Sequence, residues 1–427
     1  MLKMSLSDSN QNIRTYPVIA SAQSQVPQEL MSSSAPRPLS SKIQHKVANC
    51  QTATQSAGGQ LMFNLGCGSG QGFLKSGSVY LHCKVTATQA ANVANRFGFQ
   101  NSNAIGSAII LRDTLYLNGN IADQYNYVSK LRQGLVSHCS SEAFVKNDLC
   151  ILEQAGERST ADGASVYVAI AVQNGVLNAQ HNLPLFLLNT CQLEFNLETV
   201  QNAIFTITTV ATDYTVSDAK IIYQVIQPEV AFEMEMKNIL ASGKLFQMPI
   251  KSFYNLKQSN SSGTTKSIPI GLNMSSVNAV FHTVFSVGAD TATLNFNNSD
   301  TQTNLRVWCD GELKNSFSID TPQLQLAELK KALGTFGDPE RSSVGYYTGA
   351  NPSVYTKLTG TTYGGNAFLG GLALLRTQES GFEMAGTPVS QMIVEVSNGN
   401  TAGDLFIFVS YSQILTIDQN GSIQLIR

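Results

Sequence analysis

Charged side chains are scarce in this sequence of 427 residues: Asp, Glu, Lys and Arg together make up 13%, against a usual share of about 25%. The two signs nearly cancel, 27 Lys plus Arg against 29 Asp plus Glu, leaving a formal charge of −2. A global field that could gather nucleic acid or an anionic membrane is thereby excluded. Long hydrophobic runs are also missing. No uninterrupted apolar stretch reaches the roughly 18 residues of a membrane span, and LPLFLL at Leu183–Leu188 is far too short. Behind Lys3, the opening segment Met1–Asn12 has no apolar core. No secretory signal peptide is read there, and synthesis in the cytosol is the expectation.

The motifs of several chemistries are absent as well. The seven cysteines, Cys50, Cys67, Cys83, Cys139, Cys150, Cys191 and Cys309, are scattered and never fall at C-x-x-C spacing. Zinc-site and redox-motif patterns are thus missing, and reduced thiols buried in apolar strands are expected. His45, His82, His138, His181 and His282 show neither H-E-x-x-H nor H-x-H spacing, and His82 and His282 read as structural histidines in strands. The carboxylates are sparse. Glu229, Glu233 and Glu235 read as the solvated N-terminal face of a helix rather than an acid–base pair. Asp218, Asp290, Asp300 and Asp310 fall in turn contexts, with nothing to support a Ca²⁺ site.

One glycine-rich stretch invites a nucleotide reading: LGCGSGQGF at Leu65–Phe73. A dinucleotide fingerprint fails, because counting six from Gly66 reaches Gln71 and from Gly68 reaches Phe73. A Walker loop fails because Leu74 precedes Lys75-Ser76 where glycine is required, and a nucleophile elbow fails because Cys67 lies two before Ser69. A turn where backbones approach closely is the better reading. No catalytic, cofactor-binding or metal-ligating residue is assigned, and the chain is read as a non-enzyme without cofactor.

What is present is neutral polar surface and strand text. Asn, Gln, Ser and Thr fill the gap left by charge while the apolar share stays ordinary at 43%, so this is not a disordered composition. Such a surface repels neighbours weakly and suits a protein packed among copies of itself. Residues 1–47, rich in Ser, Gln and Pro, read as an extended arm. From about residue 48 short segments rich in Val, Ile, Leu, Tyr and Phe follow one another; in CQLEFNLET, Leu193, Phe195 and Leu197 alternate with Gln192, Glu194 and Asn196, the period of a half-buried strand. Three stretches read as helices. Ile121–Leu135 spaces Tyr125, Val128, Leu131 and Leu135 along one face, Glu229–Gly243 follows Pro228 and ends on glycine, and Thr321–Gly337 opens on Thr-Pro.

The chain therefore divides into the arm, a first β-domain at 48–228, a helical connector at 229–243 and a second β-domain at 244–427. Both β-domains run strands, one internal helix, strands, and a long closing strand. The second carries a long loop, 338–371, in which Tyr346, Tyr347, Tyr355 and Tyr363 stand among Gly, Thr and Ser. Tyrosine among small polar residues makes adaptable contact surface, so these four are the candidate interface residues.

The text from LPLFLLNTCQLEFNLETVQNAIF (Leu183–Phe205) to YTVSDAKIIYQVIQPEVAFEMEM (Tyr214–Met236) runs a Pro-bearing apolar strand, an alternating strand, then a long strand into a helix. With the element order of residues 48 to about 420, it resembles the double jelly-roll major capsid proteins of tailless membrane-containing phages, adenoviruses, virophages and large DNA viruses. The resemblance implies an all-β fold with a few short helices, two eight-stranded jelly rolls side by side. It implies pseudo-hexagonal homotrimers tiling an icosahedral shell, and contacts with neighbouring capsomers, penton and minor capsid proteins. The arm would face inward, towards neighbours or an internal membrane, without sequence-specific nucleic-acid binding. Two readings stay open beside it: a single-jelly-roll capsid or spike protein with a protruding β-domain, and a two-domain carbohydrate-binding β-sandwich protein.

Overall fold

The computed structural model describes residues 41–89, 96–99, 105–141, 143–153, 158–159, 165–206, 211–260, 265–285, 297–298, 304–336, 369–375, 386–397 and 403–427. Its first half comprises β1 (Lys42–Asn49), β2 (Gln60–Leu65), β3 (Tyr80–Gln89), β4 (Ile110–Leu117), β5 (Asn120–Asn126), helix α1 (Val128–Cys139), β6 (Ser165–Ala171), β7 (Cys191–Leu197) and β8 (Ala211–Gln227). These strands form two antiparallel sheets. One is 7-stranded, with β6, β3 and β8 side by side, β1 along the other edge of β8, and three short strands completing it; the other is 4-stranded in the order β2-β7-β4-β5. Alternation decides which side chains meet between them. Leu81, Cys83 and Val85 of β3, Val216, Ile221 and Tyr223 of β8, and Leu193, Phe195 and Leu197 of β7 all point into one core, as a period of two requires. Phe63 and Phe195 meet edge to face inside it, 6.0 Å apart.

Two sequence expectations are corrected here. The helix expected at Ile121–Leu135 begins only at Val128, because Asn120–Asn126 is β5, paired antiparallel with β4. The cause is the pair Asn118-Gly119, with φ of 50° and 80°: two successive left-handed residues make the tight hairpin that Asn-Gly favours. Tyr127, φ 55°, then turns the chain into α1. The arm, read as running to residue 47, ends earlier, since Lys42–Val47 already lie in β1, paired residue for residue with β8 from Lys42↔Gln227 onward.

Helix α2 (Val230–Ala241) connects to the second half: β9 (Phe246–Asn260), β10 (Thr265–Phe285), β11 (Asn304–Cys309), helix α3 (Pro322–Ala332), β12 (Gly370–Ala373), β13 (Thr387–Ser397), β14 (Gly403–Ile417) and β15 (Ile423–Ile426). Thr321 caps α3, its hydroxyl accepting from the Leu324 amide with Pro322 at the first turn. The sheet follows the order β9-β14-β10-β13-β11, with β15 on β14 and β12 on β10. β10 changes partner along its length: Thr265–Val277 pairs with β13 and Val277–Phe285 with β14, with register shifts around Met274 and Val277. Such bulges bend a strand and curl this sheet around its own core of Ile268, Val280, Val307, Val394 and Val409.

β14 is buried on both faces. Leu405, Ile407 and Val409 enter that core, while Phe406 and Phe408 enter another with Phe281, Phe285, Leu329, Leu369 and Leu131 of α1. Burial on two sides explains its continuous apolar text. Its far end, Leu415 and Ile417, joins Phe246, Met248 and Ile250 of β9 in the first-half core. The two longest-paired strands thus run from one core into the other.

Candidate functional site

The two halves meet along a seam between β5, α1 and β9. At its centre two carboxylates are buried, Asp113 of β4 and Asp123 of β5. Asp123 is well supplied with donors: the Gly175 amide at 2.7 Å, the Gln124 amide at 3.1 Å and the Ser252 hydroxyl of β9. Burial raises its pKa to about 6 against those bonds. Among the described residues Asp113 has one side-chain donor, the Asn174 amide group at 3.2 Å, and its second oxygen has no hydrogen-bond partner. Burial first, then the charge of Asp123, push it up to about 8. At neutral pH Asp113 therefore holds a proton, and the pair carries one charge. The seam is bridged further by Tyr125, whose hydroxyl donates to the Lys251 carbonyl at 2.9 Å, by Asn255 donating to the Asn126 carbonyl, and by Asn118 donating to the Gly421 carbonyl.

Helix α1 fills the space beside this cluster. Lys130 is buried with its ammonium 3.8 Å from the centre of the Phe285 ring, and burial lowers its pKa to about 8. Arg132 forms a buried ion pair with Glu153 and donates to the Ala171 carbonyl at 2.8 Å. From the second half, Lys330 of α3 donates to the His138 carbonyl at 2.6 Å. Gly134 lies so close to Leu369 that a Cβ there would meet its Cδ2 at 2.9 Å.

The outward face of the 7-stranded sheet differs from a usual solvent face. Ile43 and Val47 of β1 stand opposite Ile226 and Ile222 of β8 and are 58% and 56% exposed. Val230 and Met234, one turn apart on α2, are exposed apolar side chains that follow β8 in the chain. Large apolar side chains left exposed in one region mark a contact surface.

The residues singled out in the sequence fall variously. Tyr346, Tyr347, Tyr355 and Tyr363 lie outside the described residues. Of loop 338–371 only Leu369–Gly371 is described, and Gly370 and Gly371 belong to β12, opposite His282 and Phe281. A Cβ on Gly370 would lie 2.0 Å from His282 Cε1, so the histidine packs on bare backbone, a structural role. His82 stacks on Tyr167 at 5.5 Å. Asp310 accepts from the Ser390 and Gln391 amides, at 3.0 and 2.8 Å, and fixes a turn; Asp290 and Asp300 are outside the described residues. Among the described residues no group of three His, Cys, Asp or Glu side chains could hold a metal ion.

The acidic face of α2 is corrected in part. Glu229 and Glu235 are exposed, but Glu233 is buried and accepts from the Gly70 amide at 2.9 Å. The glycine-rich stretch is therefore a docking turn for the connector. Gly72, φ 67°, passes so close to β8 that a Cβ would meet the Ile226 carbonyl oxygen at 2.3 Å. Sequence reading missed Asp113 and Asp123 as a pair, although an acid inside LRDTLYL, an otherwise apolar strand, was the available signal.

No family model and no curated protein matches the chain. Solved structures do. The Faustovirus major capsid protein superposes with a TM-score of 0.61 at 8% identity, over 90% of this chain and 92% of its own. A chain of the PBCV-1 virus capsid gives 0.57 at 10%, over 93% and 99%, and one from the Sputnik virophage gives 0.53 at 10%, over 90% and 88%. These neighbours are double jelly-roll capsid proteins, and that is the fold of this chain.

Proposed function

We propose that the chain is a viral major capsid protein whose two jelly rolls let three subunits form a pseudo-hexagonal homotrimer, the tile of an icosahedral shell. The observation that carries this reading is the likeness to capsid chains along nearly the whole length of both molecules. Three features support it. The seam joins both halves through buried packing and hydrogen bonds, as suits a tile under lateral load. The low charge limits repulsion between copies. The exposed side chains of Ile43, Val47, Val230 and Met234 offer neighbouring subunits apolar contacts.

On this reading the chain resides in the virion after synthesis in the host cytoplasm, beside other capsomers, penton and minor capsid proteins. The N-terminal segment faces inward, towards neighbours or a membrane, and the four loop tyrosines contribute to contacts between subunits. Shell stability then comes from many weak contacts multiplied over the assembly. Light scattering across a range of concentrations tests the proposal. A stable species near three times 46.0 kDa, or larger closed particles, is expected; a monomer at every concentration refutes it.

A further inference from the structure

Cys191 opens β7 and stands opposite Leu65, the last residue of β2. Two residues past Leu65, Cys67 turns its sulfur back towards the Leu65 carbonyl, 3.5 Å away. That places the Cys67 thiol over the position facing Cys191, near enough for each sulfur to perturb the other. The hydroxyl of Tyr223 accepts from the intervening Gly66 amide at 3.2 Å, beside both sulfurs.

The two environments differ in a useful way. Cys67 is half-buried at the glycine-rich turn, while Cys191 is buried. Cys191 and the charge of Lys46 draw the Cys67 thiol down against the effect of burial; Cys67 and burial push Cys191 up. One sulfur is thus the accessible nucleophile and the other a resolving thiol held against it. Cys83 is fully buried and pushed up to about 12, the state of an inert structural thiol.

We propose that Cys67 and Cys191 are a redox modification site, a dithiol that closes to an intrachain disulfide when the protein meets a disulfide oxidant of the glutathione type. The Cys67 thiolate attacks one sulfur of glutathione disulfide. A bond forms between Cys67 and that glutathione, the glutathione S–S bond breaks, and a glutathione thiolate leaves and takes a proton. Cys191 then gives up its proton and attacks Cys67 Sγ, expelling the second glutathione. Two protein thiols are oxidised and one glutathione disulfide is reduced to two thiols. The new bond ties β7 to the turn that also holds Glu233 of α2, closing a long loop of chain. The pairing does not depend on what the chain assembles into.

The test takes the folded full-length protein through a series of reduced-to-oxidised glutathione ratios, followed by acid quench, alkylation, intact mass and non-reducing peptide mapping. At the oxidising end the protein is expected to be lighter by two hydrogens before alkylation. It should have lost two of its seven free thiols, with the Cys67 and Cys191 peptides linked and the melting temperature raised. Cys191→Ser should stop at a glutathione adduct on Cys67, and Cys67→Ser should leave Cys191 free. Seven free thiols at the most oxidising ratio, a link between another pair, or an unresolved adduct on Cys67 in the unaltered chain would overturn the assignment. The map of the unaltered chain decides the matter even if either variant folds poorly.

Discussion

Replacing Asp113 by Asn is the sharpest test of the seam. In the folded chain its pKa is raised from 3.8 to about 8, and that of Asp123 from 3.8 to about 6. Both groups bind protons more tightly folded than unfolded, so their contribution favours folding at low pH and is lost as pH rises. Between about pH 4 and 6 both groups release protons only on unfolding; between 6 and 8 Asp113 alone does so. Each such group costs about 1.4 kcal/mol per pH unit. For Asp113 the whole window amounts to a penalty on the order of 5 kcal/mol by pH 8. The substituted asparagine would keep the acceptor facing Asn174 and place a neutral amide where the orphaned oxygen lies. Asp113→Asn should therefore match the unaltered protein near pH 4 and exceed it at pH 8. For a chain of this length, unfolding entropy converts a gain of about 5 kcal/mol into roughly 6 °C in melting temperature. Differential scanning calorimetry at pH 4 to 8 measures this. A melting temperature for Asp113→Asn that falls with pH as steeply as that of the unaltered protein, or a larger loss at pH 8 than at pH 5, would refute the reasoning.

Other expectations follow from the same interior. Lys130 titrates lower folded than unfolded, about 8 against 10.5, so its burial disfavours folding below that interval and the penalty fades as pH rises through it. Lys130→Met, which keeps the packing on Phe285 and removes the charge, should raise stability at pH 7 by about 1–3 kcal/mol in urea titrations. Gly370→Ala should cost at least about 3 kcal/mol, since its Cβ would meet the His282 ring; the double variant with His282→Ala should recover part of that loss in the same assay. Ile43→Lys with Val47→Lys should leave the circular dichroism spectrum of the subunit intact. It should raise the concentration at which oligomers dissociate at least tenfold, about 1.4 kcal/mol, read by light scattering.

Much of the fold was legible because local rules and tertiary outcome agreed. CQLEFNLET alternates and is β7, with Leu193, Phe195 and Leu197 inside. The Pro-first and Thr-Pro starts mark α2 and α3 within a residue or two. Where period and turn chemistry conflicted, turn chemistry prevailed: Asn118-Gly119 folds Asn120–Asn126 back as a strand despite the helical spacing of Tyr125, Val128 and Leu131. The candidate site was less legible. Glu233 looked like one more solvated carboxylate, because nothing local says that the Gly70 amide, 163 residues away, will face it.

By itself the sequence determined the class of fold, the connecting helix after Pro228 and the scarcity of charge. These depend on composition and on spacing within a few residues. Tertiary structure alone decided that β9 and β14 run through both cores, that Asp113 and Asp123 share a buried seam, and that Cys67 comes to the strand position facing Cys191. Those facts concern partners far apart in the chain or the burial of a charge. Burial and proximity of that kind exist only after the chain has closed on itself.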